Sequence, residues 1–209
     1  MRRVLDILVV LAWLMLAAPL LLLLAILIEL DSPDPVLYTP EMIGRGGRPF
    51  RLYRFRTMSP SRPGQTTAEE RLTRSGRFIR NCSLDHLPTL LNILTGDLAI
   101  VGPRPMEPEF VDLADPAWQR YFSIRPGLFN YAVLKLGRTF GPSSAGNLPQ
   151  KLALELEYVD RQSLRFDLHI LARFVRAYVA SRGNVKARGK PDALEKQRRD
   201  HRSRARRGQ

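Results

Sequence analysis

The most extreme feature of the hydrophobic pattern is an apolar segment near the N-terminus. Residues 7–28 are 22 consecutive uncharged, mostly aliphatic side chains. As a helix rising ~1.5 Å per residue, this segment would be ~33 Å long, enough to cross the hydrocarbon core of a bilayer. It exceeds the ~7–15 residue core of a cleaved signal peptide, and no Ala-x-Ala-like site follows it. We therefore expect a membrane segment that stays attached to the protein.

The charges around this segment and the proline inside it favour different topologies. Arg2 and Arg3 precede the segment, and three acidic residues follow it by position 34. The positive-inside rule then predicts a spanning helix with the rest of the chain outside. Pro19, near the middle, removes a helix hydrogen bond and so makes a broken hairpin feasible, which enters and leaves on one face. The residues alone leave both topologies open.

The rest of the chain alternates between short apolar elements and polar turns. A linker rich in proline and acid covers residues 31–40, and a loop covers 59–67. Gly96 has the position of a helix C-cap. The pattern predicts a strand or hairpin over 45–58, a strand over 98–101, an extended segment over 128–136, and helices over 68–80, 84–94, 107–122, 148–160 and 164–181. These elements make a mostly helical α/β domain.

The last predicted helix is amphipathic. One face carries its apolar residues, which are Leu171, Phe174, Val175, Tyr178 and Val179. Arginines occupy the flanks of this face. This arrangement fits a helix that lies in a membrane interface, and it equally fits a helix packed on a core.

The charge balance indicates polyanionic partners. The chain has 33 Lys and Arg against 20 Asp and Glu, a formal net charge of +13. Between residues 182 and 207 there are eleven Lys or Arg and three acids, so about eight of these net charges lie in a tail with few apolar residues. No aromatic-basic recognition module accompanies the charge, and we expect no nucleic-acid binding. Cys82 is the single cysteine, so no internal disulfide forms.

Candidate chemistry is concentrated around Asp85 and in the turn Gly102-Pro103-Arg104-Pro105. Taken alone, Asp85 has an ordinary structural interpretation. Either Ser83 or Asp85 itself would be the N-cap of the helix that follows, with Pro88 in its first turn. Arg80 and Arg104 would then be solvated surface charges.

A series of motifs in order carries a resemblance to a known family. The motifs are Arg3-Val4-Leu5-Asp6, Pro19, Tyr53-Arg54-Phe55-Arg56-Thr57-Met58, residues 74–80, Ser83-Leu84-Asp85 with Leu87-Pro88, residues 91–97, Val101-Gly102-Pro103-Arg104-Pro105, Arg125-Pro126-Gly127, Tyr158-Val159, Ser163-Leu164 and Asp167-Leu168. From Arg2 to about Leu171, the chain resembles the small monotopic phosphoglycosyl transferases of the bacterial sugar transferase family.

The resemblance implies a reaction. Such enzymes transfer a hexose 1-phosphate from a UDP-sugar to polyprenyl (undecaprenyl) phosphate, release UMP and initiate exopolysaccharide, O-antigen or glycoconjugate synthesis. Asp85 aligns with the nucleophile that carries the covalent intermediate. A carboxylate is a weak nucleophile towards phosphorus, so cations must neutralise the diphosphate. The resemblance assigns phosphate or nucleotide-sugar binding to Arg80, Arg104, Arg125 and Arg138.

The resemblance also implies an organisation and a location. Residues 1–30 would form a re-entrant membrane helix broken near Pro19, residues 31–181 a compact catalytic domain with amphipathic interfacial helices, and residues 182–209 a basic disordered tail. The expected location is the cytoplasmic face of the bacterial inner membrane. Each basic residue of the tail near anionic lipid would contribute about 1 kcal/mol, and a merely solvated tail is the alternative. Homo-oligomerisation is left open.

One departure from the family pattern affects the chemistry. The family has glutamate after the nucleophile, and this chain has His86. Mg²⁺ prefers oxygen ligands, whereas imidazole suits softer metals. His86 is then a candidate catalytic cation or hydrogen-bond donor to phosphate, and Glu155, Glu107 or Glu109 would hold Mg²⁺ or Mn²⁺. The alternative is a non-catalytic membrane homologue that acts as a scaffold or regulator of glycan assembly.

Overall fold

The computed structural model describes residues 2–32, 34–60, 71–136 and 148–185, which divide at Ile170 into two compact units. The helices are α1 (Arg2–Asp31), α2 (Arg74–Asn81), α3 (Thr89–Thr95), α4 (Pro116–Tyr121), α5 (Tyr131–Leu136), α6 (Leu148–Arg161) and α7 (Leu164–Val185). The strands are β1 (Leu37–Tyr38), β2 (Glu41–Ile43), β3 (Pro49–Arg51), β4 (Arg54–Phe55), β5 (Ala99–Val101) and β6 (Gly127–Phe129). Short 3₁₀ turns cover Arg45–Gly47, Leu84–His86 and Pro108–Phe110. The prediction of a mostly helical α/β domain agrees with this architecture.

Helix α1 contacts the rest of the first unit along one narrow line of side chains, its seam. Its buried residues are Val10, Ala17, Leu24 and Ile28, spaced by seven or four positions. Such spacing keeps one line of side chains against a partner surface. By length and composition α1 is able to span a membrane, since an 18-residue window within Arg3–Asp31 has a mean hydropathy of 2.9. Its other sides expose large apolar side chains such as Met15 and Leu16, a surface of the kind that lipid covers.

The seam residues of α1 belong to the domain's own core. Val10 packs in a cluster with Leu52, Leu90 and Ile93, while Leu24 and Ile28 pack in another with Phe55 and Ile79. A third cluster, without α1, joins Ile43 and Met106 to the aromatic residues of α4 and its C-cap, Trp118, Tyr121 and Phe122. The core of the first unit is therefore partly built from the apolar N-terminal helix.

Both ends of α1 are bonded to the same unit. At its start, the Arg3 guanidinium donates to the carbonyl oxygens of Ile93 and Leu94, the latter at 2.8 Å. At its end, the Asp31 carboxylate accepts from the backbone N–H and the hydroxyl of Ser75, both at 2.8 Å. The helix continues through Pro19 without interruption, so the break predicted near Pro19 is not present. It therefore lies along the domain and is not attached by one end only.

Several predicted elements are confirmed and two are wrong. The strand or hairpin predicted over 45–58 appears as the strands β3 and β4, which pair antiparallel with β2 and β1 upstream of that range. Gly96 is the left-handed C-cap of α3 (φ 98°). The predicted helix over 107–122 is wrong, because only 108–110 and 116–121 are helical. The Asp112 carboxylate accepts from the Ala114 N–H at 2.9 Å, which favours a turn over a helix. The Asp115 carboxylate accepts from the Ala117 N–H at 2.8 Å as the N-cap of α4, so the helix starts only there.

The predicted extended segment over 128–136 is wrong beyond Phe129. Strand β6 pairs in parallel with β5, which has only three residues, so the chain has no partner strand past Phe129 and turns into α5. The predicted helix over 68–80 begins at Arg74, where Thr73 accepts from the Gly76 N–H at 2.9 Å as N-cap. Residues 61–70 lie outside the described residues. The helices predicted over 148–160 and 164–181 are confirmed.

Two glycines allow the turns beside β5 and β6 to touch. A Cβ on Gly127 would lie 2.1 Å from the Gly102 nitrogen, and a Cβ on Gly102 would lie 2.6 Å from the Arg125 carbonyl oxygen. The Gly127 N–H donates to the Pro103 carbonyl at 2.8 Å. The two turns are therefore held backbone to backbone, which fixes Arg104 after one and Arg125 before the other.

We expect Gly127→Ala to lower the free energy of unfolding by about 3 kcal/mol, because the added methyl forces two backbones apart. Gly46→Ala is the matched control, since a Cβ there meets no atom within 4 Å and only the left-handed backbone costs about 1 kcal/mol. Thermal unfolding in detergent measures both. Equal losses in the two variants would contradict the close approach.

Candidate active site

Asp85 lies in a sharp corner between α2 and α3. Helix α2 ends at Asn81, and Ser83 adopts the left-handed conformation with φ 57°. It is the only non-glycine residue with positive φ among the residues that the structure describes. This conformation is costly for most L-residues and reverses the chain direction. The 3₁₀ turn Leu84–His86 follows immediately and presents Asp85 at the corner.

The capping interpretation of this region is wrong. The Ser83 side chain makes no capping hydrogen bond, and α3 begins only after Pro88, which occupies its N-cap position. Asp85 therefore stands one turn too early to satisfy the first N–H groups of α3. The corner does not need this carboxylate to start the helix.

The corner rests on the apolar N-terminal helix. Leu84 and Leu87, on either side of Asp85, pack against the cluster that contains Leu24 and Ile28 of α1. The Asp85 side chain keeps 18% of its surface accessible, and its Oδ2 lies 3.5 Å from Nε2 of the more exposed His86. The carboxylate is thus held beside the membrane-type helix and remains open to a reactant.

Arg54, which the sequence did not single out as a site residue, lies within electrostatic range of Asp85. Burial, followed by the charge of Arg104, lowers the pKa of the Arg54 guanidinium, and the charges of Asp85, Tyr38 and Glu107 partly offset this. Its buried Nε has no hydrogen-bond partner in the described part of the chain. A buried donor of this kind is ready for an anionic ligand. In the sequence, the alternation of Arg54 and Arg56 with apolar residues predicted a strand. It did not indicate that Arg54 lies near Asp85.

The turn that carries Arg104 is braced from three sides. The Tyr121 hydroxyl donates to the Arg104 carbonyl at 2.6 Å. The Asn130 amide donates to the carbonyls of Gly102 and Gly127 at 3.1 and 2.8 Å. The Tyr158 hydroxyl lies 3.2 Å from the Val101 carbonyl oxygen, immediately before the turn. These buried bonds fix the backbone that positions the Arg104 side chain, and the aromatic and amide residues were not evident as braces from the sequence.

Glu155 is buried beside Arg104. Only 1% of its surface is accessible. Its Oε1 accepts from the Ala132 N–H at 3.2 Å, and its Oε2 has no hydrogen-bond partner among the described residues. Burial raises the pKa of Glu155 to about 8, although the Ala132 N–H and the charge of Arg104 act in the opposite direction. It lines a cavity of about 30 Å³ with Arg104, Tyr121 and Lys151, room for about one water molecule.

The acids predicted as metal ligands do not form one site. The described residues contain no group of three His, Cys, Asp or Glu side chains that could hold an ion. Glu155 is buried and favours its neutral form at pH 7, which is a poor state for binding Mg²⁺. Glu107 lies within electrostatic range of Arg54, and Glu109 is exposed in the 3₁₀ turn. The side chains as placed do not fit a preformed magnesium site.

The remaining predicted arginines are placed differently. Arg80 is exposed near the end of α2, and its Nη2 lies 3.5 Å from the Met58 sulfur. Arg125 is half-buried at the crossing of the two turns. Arg138 and the basic segment 186–209 lie outside the described residues. The structure therefore groups Asp85, His86 and Arg54 with Arg104 and Glu107 nearby.

Comparison with known proteins identifies relatives over most of the chain. Residues 1–181 match the family model described as bacterial sugar transferase. A UDP-glucose:undecaprenyl-phosphate glucose-1-phosphate transferase of Caulobacter vibrioides is 37% identical over 182 residues, 83% of this chain and 68% of the relative. An uncharacterized sugar transferase of Bacillus subtilis is 34% identical over 186 residues, 88% of this chain and 89% of the relative.

A third relative extends well beyond the matched region. The UDP-N-acetylgalactosamine-undecaprenyl-phosphate N-acetylgalactosaminephosphotransferase of Aeromonas hydrophila is 33% identical over 190 residues, which cover 87% of this chain but 44% of the relative. The match includes the corner at Asp85 and the braced turn at Arg104, since the family model spans both. The chain belongs to the bacterial sugar transferase family and is a transferase enzyme.

Proposed function

We propose that the protein transfers a hexose 1-phosphate from a UDP-sugar to polyprenyl (undecaprenyl) phosphate through an aspartyl intermediate. The Asp85 carboxylate attacks the sugar-bearing phosphorus, the bond to the other phosphate breaks, and UMP leaves. An oxygen of the lipid phosphate then attacks the same phosphorus, which restores the carboxylate and yields a polyprenyl diphosphate sugar. The observation that carries this proposal is the position of Asp85. Its carboxylate is accessible and lies near Arg54, and the turn that holds it packs against the apolar helix α1.

Arginines supply the positive charge that this reaction needs. Arg104 lies close enough to Arg54 for its charge to lower the pKa of Arg54. An incoming diphosphate would relieve the repulsion between these two cations while they neutralise its negative charge. Glu155 adds to this effect, because its neutral carboxyl leaves the charge of Arg104 free for substrate. We assign phosphate or nucleotide-sugar contacts to Arg80, Arg125 and Arg138 from the resemblance to the family.

His86 is assigned a catalytic role next to the nucleophile. Its Nε2 lies 3.5 Å from the Asp85 carboxylate, so a protonated imidazole can place positive charge at the phosphoryl group. The cofactor proposed is Mg²⁺, with Mn²⁺ as a substitute, and the placement of Glu155 and Glu107 favours an ion carried mostly by the substrate's diphosphate. No step above depends on a protein-bound ion.

The location proposed is the cytoplasmic face of the bacterial inner membrane, with both ends of α1 on that face. The bonds at both ends of α1 support this, because a helix crossing the bilayer upright would separate Arg3 from Leu94 of the domain. On α7, exposed Leu168, Val175 and Val179 support an interfacial helix. The basic segment after residue 185 would bind anionic lipid headgroups.

We expect wild-type protein, given a panel of UDP-sugars and Mg²⁺ or Mn²⁺, to release UMP and gain the mass of one sugar phosphate on Asp85. Asp85→Asn removes the nucleophile and should abolish both signals. Asp160→Asn is the matched control, because it breaks only an exposed ion pair with Arg120. Intact-protein mass spectrometry reads the adduct.

One result would overturn the catalytic proposal. If no donor gives UMP or an adduct with wild type while His86→Glu gives both, the natural chain is a non-catalytic homologue with a role in scaffolding or regulation.

We expect Glu155 to make stability depend on pH. Between about pH 4.5 and about pH 8, the folded protein keeps a proton on Glu155 that the unfolded chain has released. The free energy of unfolding therefore falls as pH rises through this window and levels off above it. Glu155→Gln removes this pH-dependent contribution. The Tm of the variant minus the Tm of wild type should therefore increase as the pH is raised through this window. Glu109→Gln, at an exposed acid, is the control, and parallel Tm curves for Glu155→Gln and wild type would refute the assignment.

We expect both ends of α1 to be accessible from the cytoplasm. In a Cys82→Ser background, Val4→Cys and Glu29→Cys should react with a membrane-impermeant thiol reagent in inside-out vesicles and stay unreacted in intact spheroplasts. Met15→Cys, in the exposed apolar middle of the helix, should be shielded by lipid in both. Labelling of Val4→Cys and Glu29→Cys from opposite sides would establish a spanning helix.

A further inference from the structure

An open cavity lies where the C-terminal end of α1 meets α2. It has a volume of about 390 Å³ and is lined by Leu27, Leu30, Asp31, Ser75, Phe78 and Ile79. The hydrogen bonds from Ser75 to the Asp31 carboxylate join the two helices within this lining. Apart from that pair, the lining is apolar. We call this cavity the α1–α2 groove.

The apolar side chains of the groove are left uncovered by the protein. Leu30 is 81% exposed, Phe78 56% and Leu27 40%. They lie at the end of a helix whose length and composition suit a membrane, where the hydrocarbon core gives way to headgroups. A hydrocarbon chain in the bilayer can therefore enter the groove from the side and make packing contacts with these side chains.

Helix α2 joins the groove to positive charge and to the nucleophile. Arg74, Arg77 and Arg80 are exposed on the same helix as Phe78. From Ser75 to Arg80 the helix rises only about 7.5 Å, and the Ser83 N–H donates to the Arg80 carbonyl at 3.0 Å as the chain enters the Asp85 corner. Apolar contact, cationic side chains and the reactive carboxylate thus follow one another along a short segment.

We propose that the α1–α2 groove seats the part of the acceptor's polyprenyl chain next to its phosphate, which lies along α2 towards Asp85. This rests on the proposed function. The volume of the groove falls in the range of ligand sites, ~300–1,000 Å³. The groove can hold only part of a long polyprenyl chain, so the rest of that chain would stay in the bilayer. The groove continues along α2 to the nucleophile. This favours the acceptor over a phospholipid, because only the acceptor's phosphate has to reach Asp85 to react.

The first test separates the two half-reactions. The Asp85 adduct is formed with donor alone and then discharged by undecaprenyl phosphate in detergent micelles. Phe78→Ala should slow discharge at subsaturating acceptor by about fivefold, as expected when part of an aromatic contact is lost, with adduct formation as the internal reference. Leu91→Ala, at a comparably exposed apolar residue of α3, should discharge at the wild-type rate. Discharge of the Phe78→Ala adduct at the wild-type rate would overturn the groove assignment.

The second test needs no turnover, so it decides the groove even if the wild type forms no adduct and the proposed function fails. A photoreactive farnesyl phosphate is crosslinked to the full chain in vesicles, and the labelled peptides are mapped by mass spectrometry. Labelling within residues 27–31 and 75–79, weakened by Phe78→Ala, supports the assignment. Labelling elsewhere overturns it, as does displacement by phosphatidylglycerol as effective as displacement by unlabelled farnesyl phosphate, since that identifies a general acyl-chain site.

Discussion

The structure depends on helix α1, which has two different surroundings. Along its seam α1 contacts protein, and on its remaining surface it exposes apolar side chains that suit contact with lipid. Because Val10 belongs to one core cluster and Leu24 and Ile28 to another, the domain is held in a fixed position relative to α1. The two leucines that flank Asp85 pack on the same helix. The position of the Asp85 carboxylate is therefore set by the helix that is long and apolar enough to span a membrane.

A second constraint holds the charges that face this carboxylate. The backbone crossing at Gly102 and Gly127 leaves no space for side chains, and the bonds from Tyr121 and Asn130 lock the turn before Arg104. Arg54 comes to the same site from strand β4. Positive charges are thus brought together by rigid backbone, which reduces the reorganisation needed when a diphosphate arrives. The buried neutral Glu155 fits this scheme, since an ionised carboxylate there would cancel part of that charge.

The sequence was informative where local chemistry decides structure. The apolar run, the Gly96 cap and the last two helices follow from periodicity and from capping preferences. It failed at two places: Asp112 forms a turn with the Ala114 N–H and Asp115 caps a new helix, so no continuous helix runs over 107–122, and β6 ends with its short partner strand. At the site, the residues alone favoured helix capping by Ser83 or Asp85. The left-handed backbone of Ser83 excludes this, and no pattern in the sequence showed that Arg54 would lie near Asp85. Asp85 itself emerged only through the family motifs.

The seam of α1 also changes what is meant by a membrane anchor in this protein. An anchor that only tethers could be cut away, and the domain would remain a soluble enzyme. Here such a cut at Asp31 would strip the cover from Leu52, Ile93, Phe55 and Ile79, all buried in clusters that α1 completes. It would also release Ser75 and the end of α3 from their partners. The boundary between the apolar helix and the rest of the first unit is thus not a boundary between folding units, because α1 supplies part of the core.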